Sequence, residues 1–195
     1  LKTSDKILET AQTFIQQRGY HAMSFDHVAK EVGIKKPSIV HHFPTKAALG
    51  TAVIQRYRKQ VHGEINDLLS RSEQPAAAIL DQFLEPFLSL GKEGELVCLC
   101  GSLAGEFGAL PDEMRAEVAT FFEERHRWLT RILTRGEGEG TFHFHGDPHG
   151  LAGLILDALQ GALLVSRATR SQGHVEKMIQ IAKQNLIRIN ETNPA

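Results

Sequence analysis

Apolar residues recur three and four positions apart along nearly the whole of this 195-residue chain, the period of helices that bury one face. Ile7, Leu8, Ala11, Phe14 and Ile15 draw such a face and predict a first helix over 5–18. Ser4 or Asp5 is placed to cap it, and Gly19 ends it, as a glycine just past a helix end does. Phe25, Val28, Ala29 and Val32 predict a shorter second helix over 25–32. Ser24 is its N-cap candidate, while His27 stands where a capping box has glutamate, so the box is incomplete. Gly33 suits the positive φ of a tight turn, and Ile34 returns to the core. A third helix over 36–43 carries Pro37 in its first turn, where the missing N–H costs nothing. Phe43 anchors its end and Pro44 breaks it.

Thr45 caps a long fourth helix over 46–70, with Leu49, Val53, Tyr57, Val61, Ile65, Leu68 and Leu69 in helical register. At ~1.5 Å per residue it spans roughly 36 Å, enough to act as a lever between domains. Gly63 is a mild weak point in it. Pro75 starts a helix to about 90, in which Pro86 is expected to cause a kink or an early end. A helix rich in small residues follows from about 96 to 108, then another from 111 to about 135. Residues 136–147 are the least helical stretch; the alternation over 141–144 is weakly strand-like but too short to build on. Pro148 opens a strongly apolar helix to about 170, and a last helix runs over 174–190. The tail beyond should fray. The fold class is therefore all-α. A three-helix domain over residues 1–50 is joined by the long fourth helix to a larger helical domain over 51–195.

Composition is that of an ordinary globular chain, 42% hydrophobic and 23% charged, long enough to need no staples. No apolar run approaches the ~18 residues of a membrane span, and no basic-then-apolar leader is visible. The two cysteines, Cys98 and Cys100, are badly spaced to bridge each other, and there is no C-x-x-C. A reducing, cytoplasmic compartment without a membrane partner is the expectation. The net charge of -1 hides a split. Residues 1–60 hold ten lysines and arginines against four acids, +6; the rest sum to -7. A basic first third on an acidic body points to a polyanion bound at one end.

The motif over 24–43 gives that polyanion a name. Two short helices meet across Gly33, and the second opens with Lys35, Lys36 and Pro37. This is the shape of a helix-turn-helix that lays its second helix in the DNA major groove.

The stretch GYHAMSFDHVAKEVGIKKPSIVHHFPTKAAL resembles the N-terminal domain of the tetracycline-repressor (TetR/AcrR) family of transcriptional regulators. The match covers about residues 5–57: Gly19-Tyr20, Ser24, Val28-Ala29, Gly33, Pro37-Ser38, Phe43 and Thr45-Lys46. The resemblance implies roles. Ser24, at a helix N-terminus, would hold a phosphate. Lys36 and Ser38 would face base edges, lysine being suited to guanine O6 and N7. Pro37 would touch a thymine methyl or sugar. His41, His42 and Lys46 would take phosphates, and Lys35 either partner. Taken singly, each lysine also reads as a solvated charge, and each histidine as a packing or solvent residue. The family usually has tyrosine at Val40 or His41; here the run is Val40-His41-His42. Charged imidazoles on phosphate would make operator binding weaken as pH rises through the histidine range.

By the same resemblance the middle helices form an effector pocket for a small-molecule inducer. Its local candidates are Phe87, Cys98, Phe107, Phe121, Phe122, Arg125 and Trp128, though an aromatic stripe at helical spacing is more often core. The last two helices, about 148–170 and 174–190, would pair with those of a second copy. A dimer reads two half-sites about 34–36 Å apart or a multiple of that; the extra apolar surface otherwise reads as internal core. Val97-Cys98-Leu99, Leu103-Ala104-Gly105-Glu106 and Leu110 to Arg115 resemble a branch that includes regulators answering to electrophiles and oxidants, in which a cysteine at the position of Cys98 can be the sensor. Such a thiol needs a nearby cation or helix N-terminus and some exposure; Arg125, Arg127 and Arg167 are the available cations. Cys98 and Cys100 also read as small buried hydrophobes.

The sequence reading is thus a homodimeric DNA-binding regulator, a repressor released from a palindromic operator by an inducer, with thiol sensing at Cys98 as the alternative. A remoter alternative is a small helical enzyme or metal-binding protein. Glu106, Arg125 and His126 are the one polar cluster to consider, and G-x-S-x-G, P-loop, H-E-x-x-H and dinucleotide motifs are absent from the sequence. His143, His145 and His149 read as loop histidines, since zinc needs ligands converging from several segments. No catalysis, cofactor or metal is expected.

Overall fold

The computed structural model describes residues 2–70 and 73–186. Its helices, in chain order, are α1 (Thr3–Arg18), α2 (Phe25–Val32), α3 (Lys36–His42), α4 (Lys46–Ser70), α5 (Ala76–Glu93), α6 (Leu99–Gly105), α7 (Asp112–Gly138), α8 (Pro148–Thr169) and α9 (His174–Leu186), with a 3-10 turn at Phe107–Ala109. Among the described residues there is no strand, and the all-α class holds. The chain forms two compact units, one drawn from Leu1–Gly63 and Glu95–Glu123, the other from Glu64–Gly94 and Glu124–Ala195. Helix α6 and the start of α7 fall in the first of these units.

In the first unit, α1 begins at Thr3, so Ser4 and Asp5 lie inside its first turn and neither caps it. The Lys2 carbonyl already accepts from the N–H of Asp5 (3.0 Å) and of Lys6 (3.3 Å), which starts the helix ahead of both side chains. Asp5 still sits favourably at the positive end of the helix dipole. The Ser24 hydroxyl accepts the His27 N–H at 3.2 Å, and the imidazole in the capping-box position stacks on Phe14 at 5.8 Å. Gly33 closes α2 in the left-handed region (φ 75°, ψ 33°), and Ile34 N–H reaches back to Ala29 O at 3.0 Å. Ile39 is the fully buried residue of α3. Thr45 Oγ1 accepts the Ala48 N–H at 3.0 Å and caps α4.

The small-residue helix is shorter than its pattern predicts. The carbonyl of Val97 accepts from the Gln16 side chain at 2.9 Å instead of starting a helix. At the other end the backbone tightens into 3-10 geometry, with Ala109 N–H on Glu106 O at 2.9 Å. Gly101, Gly105 and Gly108 leave this segment little helix propensity of its own. A second tie, Ser102 Oγ to Ile15 O at 2.9 Å, fastens α6 along α1.

In the second unit α5 runs on past Pro86 to Glu93, so the proline does not end it early. Burial of Phe83, Leu84 and Phe87 holds both sides of it, which outweighs the ~3 kcal/mol an interior proline costs. Helix α7 extends to Gly138 rather than 135. Arg135 Nε meets Glu139 Oε1 at 2.7 Å, and the other Glu139 oxygen accepts the Ala76 N–H at 2.9 Å. Those hydrogen bonds, with the N–H of Ala76 foremost, hold the Glu139 carboxyl below its ordinary value. The stretch over 136–147 folds back rather than extending. Both Thr141 and Phe142 N–H groups bond to Gly136 O, at 2.9 and 3.0 Å. Phe142 is buried so closely on Gly136 that a Cβ there would lie 2.0 Å from its ring. His143 N–H then ties this fold-back to Leu186 O of α9 at 2.7 Å.

Helix α8 starts on Asp147, whose Oδ1 accepts the Gly150 N–H at 2.9 Å; this bond, first among several, lowers its carboxyl pKa. It packs on α5 and α9. At 22 residues, α8 is long and apolar enough to cross a membrane by length and composition, which corrects the expectation that no such run exists. Interspersed His149, Asp157 and Gln160 break its apolar run without lowering its average much. The last helix is described to Leu186; residues 187–190 and the tail expected to fray lie outside the described residues.

Candidate nucleic-acid interface

Burial of Ile39 orients α3. With that side chain fully inside, Lys36, Pro37, Ser38, Val40, His41 and His42 are left exposed, and Lys35 just ahead of the helix is exposed as well. The structure thus gathers six of the eight sequence-derived DNA candidates on one short helix and its approach. The Lys36 ammonium lies 2.9 Å from the Asp26 carboxylate of α2, and both side chains are more than half exposed. The rings of His41 and His42 meet edge to face at 5.4 Å.

The other two candidates sit differently. Ser24, half-buried, spends its hydroxyl oxygen on the start of α2 and keeps its own proton as a donor. Lys46 turns inward: its Nζ donates to His21 O at 3.1 Å and lies 4.4 Å above the Tyr20 ring. Burial pushes its pKa down, against the opposing pull of the Glu106 carboxylate.

That carboxylate is the element that sequence reasoning assigned elsewhere. Glu106, just past α6, accepts the N–H groups of Tyr20 and His21, each at 2.9 Å, and pairs with the His21 imidazole. Burial works to raise its pKa, but the bonds from the His21 side chain and from the two backbone N–H groups outweigh it, and the pKa is lowered. The Tyr20 phenol is raised, first by burial and then by the Glu106 charge. Gly19 leaves room for this arrangement: a Cβ there would fall 2.0 Å from Glu106 Oε1. Arg125 and His126, named with Glu106 as a polar cluster in the sequence, each have partners within the second unit. Arg125 is buried in the second unit with its guanidinium 4.0 Å from the Phe83 ring centroid and 5.2 Å from that of Phe87. His126 Nε2 donates to His149 O at 2.8 Å.

Of the effector candidates, Cys98 and Phe121 are buried in the first unit and Phe87, Arg125 and Trp128 in the second. Phe121 packs between Tyr57 and Phe122, both at 5.5 Å. Phe107, on the 3-10 turn, is 41% exposed. Cys98 is the N-cap residue of α6 and only 4% exposed, and Cys100 is fully buried, so neither has the exposure a sensing thiol needs in this conformation. A cavity of about 30 Å³ in the second unit, bounded by Leu88, Gly91, Lys92, Gly173, Val175 and Glu176, has none of the effector candidates in its wall. It has room for about one water. His143, His145 and His149 are exposed. Among the described residues no three histidines, cysteines or acids converge on a common point.

Two family models match. Residues 7–53 match bacterial regulatory proteins of the tetR family, and residues 76–182 match the tetracyclin repressor-like C-terminal domain. The chain is 22% identical to the HTH-type transcriptional repressor DhaR of Mycobacterium sp. (strain GP1), over 95% of this chain and 92% of that protein. It is 25% identical to the HTH-type transcriptional repressor NemR of Escherichia coli (strain K12), over 93% of this chain and 92% of that protein. Its fold matches a TetR transcriptional regulator from Legionella pneumophila with a TM-score of 0.85 at 29% identity, over 95% of this chain and 98% of that one. With α2, the Gly33 turn and α3 all inside the first of these matches and the second covering more than half of the chain, the chain belongs to the TetR family of bacterial transcriptional regulators.

Proposed function

We propose that this regulator is a homodimeric repressor that leaves a palindromic operator when a small-molecule inducer binds. The observation that carries the reading is the α3 face: Lys35, Lys36, Pro37, Ser38, His41 and His42 all exposed around a buried Ile39. Lys36 and Ser38 address base edges, Pro37 a thymine methyl or sugar, Lys35 either bases or backbone, and His41, His42 and Ser24 phosphates. Lys46 reaches a phosphate only by leaving His21 O. Residues 1–50 serve as the reading head; residues 51–195 carry the effector and dimer functions.

Dimerisation through α8 and α9 is supported by the apolar side chains they expose. Leu154 (67%), Val165 (48%), Leu164 and Ile181 account for four of the six large exposed hydrophobics among the described residues. Leu154, Ala158, Gly161 and Val165 fall at i, i+4, i+7 and i+11, one stripe along α8. A two-fold dimer carries two copies of α3, one for each half-site of a palindrome. The inducer acts by population shift: it stabilises a conformation whose two reading heads no longer match the half-site spacing. Phe87, Cys98, Phe107, Phe121, Phe122, Arg125 and Trp128 are the candidates for contact with the inducer. Repression is supported by the names of the DhaR and NemR relatives. A gel-shift series against palindromic duplexes tests the reading. Salt-sensitive, sequence-specific retardation supports it, and binding indifferent to sequence at every salt concentration removes it.

A second reading, thiol-based sensing through Cys98, is favoured by one contact. The carbonyl of Val97, the residue next to Cys98, is tied to Gln16 of α1, so an adduct on this sulfur would strain a bond to the reading head. A Cys98→Ser protein that still releases DNA fully on electrophile treatment sinks it.

A further inference from the structure

We propose that Val40 is a specificity-determining residue that reads a thymine methyl, one or two base steps from the base addressed by Lys36. The proposal rests on the DNA-binding reading of α3 and adds a base contact to it. Val40 is 43% exposed, and among the described residues it is the one large exposed hydrophobic on α2 or α3. Its surroundings on the helix are polar: Lys36, Ser38, His41 and His42 are exposed around it. An isopropyl group in that position gains nothing from water and adds little to the core, since its neighbour Ile39 fills the inward slot.

Two features give it a defined aim. Ile39 fixes the rotation of α3 about its axis, and a β-branched side chain in a helix keeps essentially one rotamer. Val40 also stands four residues after Lys36 and three after Pro37, so the three share one strip of the helix surface. Side chains four apart lie about 5–6 Å from each other, and stacked bases about 3.4 Å. The two contacts therefore fall one or two steps apart. In the major groove the one apolar group on a base edge is the C5-methyl of thymine, while guanine O6 and N7 suit a lysine. Asp26 is the charged group that Lys36 must leave. Their pairing is exposed and weakened by solvent, so a guanine can displace it. The strip thus reads a guanine with a thymine close by in each half-site.

The test uses the full-length chain and DNA selected from a randomised palindromic pool. Each thymine of the enriched half-site is replaced in turn by deoxyuridine, which removes the methyl alone, and affinity is followed by fluorescence anisotropy for wild type and for Val40→Ala. Wild type is expected to lose about 3–5-fold per half-site at one thymine, the effect of one buried methyl; Val40→Ala, weaker on the unmodified site, is expected to lose nothing further there. Equal deoxyuridine penalties in the two proteins, or none in wild type, overturn the assignment. A pool that enriches no sequence overturns the operator reading itself, and Val40 with it. Val40 is exposed, so its truncation leaves the fold intact, which circular dichroism checks.

Discussion

Glu106 grips His21 twice, taking its backbone N–H at 2.9 Å and pairing with its imidazole across 85 residues of chain. With the Tyr20 N–H it ties the α1–α2 connector, which leads into the helix-turn-helix, to the end of α6. Hydrogen bonds from this connector lower the carboxyl pKa against the effect of burial. The folded state therefore prefers the ionised form. Its stabilisation is complete above the ordinary glutamate range, about 4.3, and is lost as pH falls through the lower folded value. Glu106→Gln should reduce stability at neutral pH by about 1 kcal/mol, allowing for partial exposure. Thermal melts of both proteins between pH 3 and 7 should converge at the acid end. A gap that stays constant down to pH 3 would show that the charge of Glu106 contributes nothing.

Gly19 should be intolerant of any side chain. Its φ of 85° with ψ of 164° lies where L-residues are strained, and a Cβ would overlap Glu106 Oε1. Gly19→Ala is expected to cost about 1–3 kcal/mol from backbone strain, plus the displacement of Glu106. A double-mutant cycle with Glu106→Ala separates the two. Denaturant midpoints should show Glu106→Ala costing less in the Gly19→Ala background, by at least about 0.5 kcal/mol. Strict additivity would mean that the carboxylate is not what the methyl displaces.

What the sequence made legible was local. The Ser24 and Thr45 caps, the left-handed Gly33 and the burial of the α2 face are decided within four or five residues, and each is found where periodicity and side-chain chemistry put it. What it did not make legible is set by packing. Pro86 carries a breaking signal, yet burial of Phe83 and Phe87 holds α5 together around it. Thr141 and Phe142 alternate like a strand, but a Gly136 without a side chain lets the ring settle onto α7 instead. The link from Glu106 to His21 has no periodic signature at all. Val40 was readable in principle: at i+4 from Lys36 and next to an inward Ile39, it had to face outward.

Asp26 should act as a brake on DNA binding. Its carboxylate holds Lys36 at 2.9 Å and would stand close to phosphates once α3 docks. Asp26→Asn frees the lysine and removes a like charge from the interface. Affinity is expected to rise roughly 2–5-fold per half-site, the size of one exposed ion pair, with a scrambled duplex gaining at least as much as the operator. The gain should shrink between 50 and 200 mM salt, because it is electrostatic. Anisotropy titrations at the two salt concentrations check this; an unchanged affinity at 50 mM would mean that Lys36 already leaves Asp26 at no cost.

The exposed stripe of α8 makes the last prediction. Around a two-fold axis a residue near the centre of the interface approaches its own copy. Leu154 is the most exposed large hydrophobic among the described residues; a charge there removes apolar burial from both subunits and, near the axis, sets two identical charges against each other. Leu154→Glu should shift the protein from dimer to monomer in size-exclusion chromatography with light scattering. Its secondary structure should be unchanged, since the side chain supports no part of its own core. Operator affinity should fall by more than tenfold, because each half-site must then be bound independently. The same substitution at Asp157, exposed on the same helix but already acidic, adds no charge, so Asp157→Glu should leave both readouts where they were. A Leu154→Glu protein that remains dimeric would place the subunit interface on another surface.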